Sequence, residues 1–171
     1  MTPEWLQMMA SYNAWQHSWI NETCAGLGHE ALTRDRGAFF TSILGTLSHL
    51  QWGDETWMSR FDGGNPPPGG IAESPSLYTD WASYLPARDT MNQRIKDWAA
   101  GMTPAECAGD LAWYSGVMKA HVTKPKRLVF THFFNHQTHH RGQVHAMLTG
   151  GGIMTDVTDL FFMPDTEEET T

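Results

Sequence analysis

The chain has 171 residues, 40% hydrophobic and 18% charged, which supports one buried core and argues against a second domain. A formal net charge of −8, from 19 acidic and 11 basic residues, argues against broad binding to a phosphate backbone. Cys24 and Cys107 lie far apart without CxxC spacing, so the chain reads as a reduced, cytoplasmic protein, and no stretch approaches a membrane span.

From Pro3 to about Leu27, Leu6, Met9, Tyr12, Trp19 and Ile20 recur at threes and fours, the period of an amphipathic helix. Pro3 and Glu4 suit its first turn, and Gly26 and Gly28 its end. The same opening lacks the basic and uninterrupted apolar regions of a signal peptide. A long second helix is predicted from a cap at Thr33 or Asp35 to about Phe61, with Phe39, Phe40, Ile43, Leu44, Leu47, Leu50, Trp57 and Met58 as its apolar content. The string DGGNPPPGGIAESP, Asp62 to Pro75, reads as an irregular surface loop.

A third helix is predicted from about Ser76 to Ala100, with Pro86 threatening a kink near its start. Leu111 to Tyr114, Ser115-Gly116 and Val117-Met118 suggest a short β-hairpin. A fourth helix then runs from about Lys124 to Leu148, where Gly150, Gly151 and Gly152 terminate it. Asp156 to Met163 suits a short docked piece, and the acidic end is predicted to be a disordered tail. The fold class is therefore all-α, one helical domain over residues 1–163 with a tail at 164–171.

Chemistry concentrates in Asn135 to Gln143, N-H-Q-T-H-H-R-G-Q. His136 and His140 stand one helical turn apart on a stripe that otherwise carries Val129, Phe133, Val144 and Met147, so two imidazoles face the core. Buried ring nitrogens need partners, which a metal ion or a polar network would supply. A catalytic zinc-type centre wants three protein ligands and an open position. The third candidate is His49 on helix two, beside the small residues Ser42, Thr46 and Gly53, while His132, one turn before His136, competes for the role. His139 reaches only the edge of such a site, and His17, His29, His121 and His145 have no spacing that ties them to the pair. Asp54 is a candidate to orient a ligand or to bind Arg141. Gln137 occupies the position at which the zincin motif H-E-x-x-H has its Glu, so protease chemistry lacks its general base.

The strings LTRDRGAFFTSILGTLSHLQWGDETWMSRF and NHQTHHRGQVHAMLTGGG, with YNAW in helix one, resemble the diagnostic segments of the DinB family, within the DinB/YfiT-like metalloprotein superfamily. The resemblance extends over nearly the whole chain, to Met163. It implies an antiparallel four-helix bundle with a long-crossover order, commonly a homodimer. It also implies a divalent metal, zinc or nickel first, held by His49, His136 and His140. Family members with known chemistry are thiol-dependent, including transferases that use low-molecular-weight thiols and maleylpyruvate isomerase. The expected activity is thus a metal-dependent thiol S-transferase acting on a small electrophile, with a hydrolase or a non-catalytic metal-binding stress protein as alternatives. His17 departs from the pattern, standing where relatives often carry Asn, and adds an imidazole near the expected site.

Overall fold

The computed structural model describes residues 1–164, so the predicted acidic tail lies almost entirely outside the described residues. Five α-helices, four of them long, and a two-stranded antiparallel sheet make up the fold. Helix α1, Pro3–Ala25, starts where the Thr2 hydroxyl accepts a hydrogen bond from the Trp5 amide, with Pro3 in the first turn, and stops at Gly26.

The predicted second helix is two elements. Helix α2 is the single turn His29–Thr33, and α3 begins only at Ile43 and runs to Phe61. Local turn chemistry between them overrides the apolar period. Asp35 accepts from the Gly37 amide, and Gly37 and Thr41 take φ of 69° and 64°. Ser42 then caps α3 by accepting from the Gly45 amide at 3.0 Å. Phe39 and Phe40 consequently sit in a loop, not on a helical stripe, with Phe39 exposed and Phe40 buried.

The third helix is also shorter than predicted. Ser74–Ser76 forms an isolated 3₁₀ turn, and α4 spans Trp81–Gly101 with Asp80 as its cap. Pro86 lies inside α4, near its solvent-facing first turns, where an exposed Ala82 lets water serve the carbonyl that the missing N–H leaves. The hairpin is present, but its turn is displaced from the predicted Ser115-Gly116: Ser115 ends the first strand, and Val117 and Met118, predicted as the second strand, lie in the turn. Strands β1, Asp110–Ser115, and β2, Ala120–Pro125, pair Trp113 with Val122 and Ser115 with Ala120, and Gly116 to Lys119 form the turn. Helix α5 spans Lys126–Gly150 and closes at Gly151. The following segment docks on α1, where Tyr12 and Gln16 donate side-chain hydrogen bonds to the carbonyls of Thr158 and Val157.

Helix α1 packs on α4 and α5, and α3 packs on the same two. Two apolar clusters fill the interior. One holds Trp19, Ile20, Leu44, Leu47, Tyr84, Val144 and Leu148, the other Leu6, Met58, Met91, Ile95, Phe130 and Phe133. Each long helix contributes to both clusters, and between them along its length each carries buried polar groups: Asn13 and His17, Asp54, Arg88, and Gln137 with Arg141. The order in which a helix meets the clusters gives its direction: α1 and α5 run one way, α3 and α4 the other. The parallel pair α3 and α4 requires the long connection that the Gly/Pro-rich loop provides. No helix among the described residues is long and apolar enough to cross a membrane.

Candidate metal centre

His49 comes from the second turn of α3, and His136 and His140 from successive turns of α5, the helix packed against it. One ring nitrogen from each lies within 4.8 Å of the others. The closest pair is His136 Nε2 and His140 Nε2 at 3.1 Å. A tetrahedral ion with bonds near 2.1 Å holds its nitrogens roughly 3.4 Å apart, so a small opening of this spacing suits joint ligation. Close approach depends on Gly53, where a Cβ would stand 2.7 Å from His136 Cε1.

Hydrogen bonds at the far side of two rings fix their tautomers. Ser74 spends its single proton on the Ile71 carbonyl, so its hydroxyl oxygen accepts from His49 Nδ1–H at 2.7 Å. Gln143 Oε1 can only accept, and it takes His140 Nδ1–H at 2.7 Å. Both Nε2 atoms are left as lone pairs. Outer acceptors of this type orient ligating imidazoles and raise their basicity. Burial, followed by the neighbouring His140, pushes the pKa of His49 down to about 4, and the same causes push His136 down to about 3. Burial also lowers His140, against the opposing hydrogen bond to Gln143. The rings are neutral at neutral pH, the form that binds a metal.

The histidines stand in a cavity of about 980 Å³. Phe40 stacks on His49 at 3.8 Å, the Trp52 ring lies 6.0 Å from the same imidazole, and the Gly/Pro-rich loop and the hairpin complete the wall. His132 and His139 line the same cavity without joining the three converging nitrogens. His132 packs against His136 and Trp57, and His139 against His140.

Asp54 serves neither of the roles predicted for it. It accepts from Arg88 at 2.6 Å and from Gln137 at 3.1 Å, all three fully buried, and Arg141 instead donates to Asn13. Burial raises the Asp54 pKa against the attraction of Arg88. Gln137, at the zincin Glu position, therefore points into the core and away from the histidines. His17 belongs to this polar layer, fully buried, its pKa lowered well below the usual value by burial and then by Arg88 and Arg141.

The DinB family model matches residues 1–171. The chain belongs to the DinB family. No curated protein matches it. Within this DinB chain the three converging histidines are those the resemblance pointed to, and they could hold a metal ion. Sequence reasoning missed Ser74 and Arg88, and also Arg60, which lines the same cavity beside Trp57. Ser74 is 25 residues from His49, beyond any local period, whereas Gln143, three after His140, was within reach of the helical spacing rule.

Proposed function

We propose that this DinB protein binds one divalent metal, zinc or nickel, through Nε2 of His49, His136 and His140, and uses it as a thiol-dependent S-transferase. The observation that carries the reading is the pair of outer acceptors, Ser74 and Gln143, which turn two Nε2 lone pairs toward a third imidazole inside a cavity of substrate size. The frame would be the family's four-helix bundle, assembled as a homodimer in the cytoplasm, and the exposed Met154, Phe161 and Phe162 favour such an assembly.

His49, His136 and His140 would hold the dication through neutral rings, and it would then keep its full charge and favour the ionised form of a thiol or of water beside it. Phe40 and Trp52 pack against the His49 ring and shield it from bulk water. Burial and Arg60 lower the pKa of His132, so it is neutral at neutral pH and its ring can take the proton that a thiol releases. Choice of a thiol over water rests on the resemblance to thiol-dependent members of the family. Purely structural zinc sites are closed by a fourth protein ligand. Among the described residues three donors converge, and the cavity lies beside them.

The test is a conjugation assay with metal-reconstituted protein, common cellular thiols and a panel of small electrophiles. Metal-dependent turnover that disappears in His136→Ala supports the reading. Hydrolysis without thiol would favour the hydrolase, and inactivity across the panel the non-catalytic role.

A further inference from the structure

The cavity contradicts the charge of the chain around it. With 19 acidic residues and a net charge of −8 in the full sequence, the protein places no Asp or Glu among the described residues that line this cavity, and Arg60 is the one permanent cation among them. Arg60 lies eleven residues after His49 on α3, three helical turns, which returns it to nearly the same face ~16 Å further along the axis. His49, Gly53, Trp57 and Arg60 thus form one wall. Its guanidinium carbon lies 4.4 Å from the centre of the Trp57 ring and 5.6 Å from that of Trp113 on the hairpin, two indoles that meet edge to face.

Every ion pair among the described residues involves another arginine. Arg34 meets Glu30, Arg88 meets Asp54, and Arg94 takes Asp62, the nearest acidic residue in sequence to Arg60. Lying over two indole rings holds the guanidinium in place but does not satisfy its N–H donors. A half-buried guanidinium, desolvated enough that its pKa is lowered, thus presents to the cavity donors that have no partner among the described residues. Arg presents two parallel donors in a rigid fork, the geometry of a carboxylate. A single guanidinium matches one carboxylate better than a phosphate dianion, whose charge asks for more than one cation. The aromatic walls, Trp57, Trp113 and Trp52, match a flat apolar body.

We infer that Arg60, held against Trp57 and Trp113, is the specificity-determining carboxylate site of this cavity, and that the molecule it accepts is a planar apolar organic acid lying between Arg60 and the three histidines. The inference rests on the cavity being the substrate pocket proposed above, and it deepens that reading by assigning a substrate class. It does not depend on the identity of the metal. Arg60 positions the acid and takes no part in bond making.

The test compares 2-naphthoate with its neutral isostere 2-naphthamide by calorimetry, on metal-free and on zinc-loaded full-length protein. The metal-free protein is expected to bind the carboxylate about tenfold or more tighter than the amide, the worth of a charge-assisted hydrogen-bond pair. Arg60→Met keeps the stem that covers Trp57 and removes the charge. It is expected to erase the preference while amide affinity stays within about twofold and zinc stoichiometry is unchanged, which establishes that the variant is folded. Arg60→Lys should recover only part of the preference, because it restores the charge without the fork. Equal binding of the two probes to wild-type protein, or a preference that survives in Arg60→Met, overturns the inference. Carboxylate binding is read without metal and without turnover, so failure of the thiol assay leaves it standing, and its own failure leaves the metal centre untouched.

Discussion

Gly53→Ala sets two effects of opposite sign against each other. Gly53 lies inside α3, where glycine costs about 0.5–1 kcal/mol relative to alanine, so helix propensity alone favours the substitution. The new Cβ, however, would stand 2.7 Å from His136 Cε1, where ordinary contact begins near 3.4 Å, so the ring must retreat by about 0.7 Å to reach it. His136 borders the cavity and has room to move, which spares the fold. A metal site tolerates only ~0.2 Å in its bond lengths, so the displaced ring ceases to be a competent ligand. Second-sphere changes already cost 10- to 100-fold in affinity, and loss of a ligand is expected to cost about 100-fold or more. Competition with a chromophoric zinc chelator measures the affinity, and urea unfolding of the metal-free protein measures stability. The expected outcome is weakened zinc binding with metal-free stability within ~1 kcal/mol of wild type or above it. Wild-type zinc affinity in Gly53→Ala would refute the placement of His136 over Gly53 as a metal ligand.

Ser74→Ala should leave the fold intact and lower zinc affinity by about 10- to 100-fold, because it removes the acceptor that holds His49 in its tautomer; an unchanged affinity would show that Ser74 does not orient the ring. Asp54→Asn leaves Arg88 charged and fully buried without its counterion, so urea denaturation should report a loss of roughly 3–5 kcal/mol, and a loss below ~1 kcal/mol would contradict the buried pair. For His17 the folded pKa lies below the unfolded value, so the unfolded chain binds the extra proton and stability falls as pH drops below about 6.5. His17→Asn should flatten that fall between pH 6.5 and 5 by up to ~1.4 kcal/mol per pH unit, and urea titrations with parallel slopes for variant and wild type would reject the assignment.

Much of the candidate centre was legible because helical period is a strong constraint. His136 and His140 at i, i+4 on an apolar stripe could only face the core together, and the small Gly53 marked where another helix might come close. Positions that depend on tertiary packing carried no such signal. Phe39 and Phe40 matched the apolar period of a helix, yet the capping of Ser42 and the turn around Gly37 decided their place, and Phe40 became the wall of the site. Asp54 was read as a ligand's partner because it is near His49 in sequence. Five residues of helix turn it well away in azimuth, toward Arg88 on a helix whose polar residue no local pattern connects to it. Trp113 and Arg60 meet across 53 positions of chain, and only the hairpin's fold back over α3 brings them together.

The central claim is that three imidazoles from two helices hold one metal ion. Calorimetric titration of untagged, chelator-stripped protein with zinc and nickel, paired with elemental analysis, tests it most directly. Wild-type protein should bind one ion per chain, and His49→Ala, His136→Ala and His140→Ala should each abolish stoichiometric binding while remaining folded. Absence of stoichiometric binding to the wild type, or an ion retained in full by His49→Ala, would contradict the account.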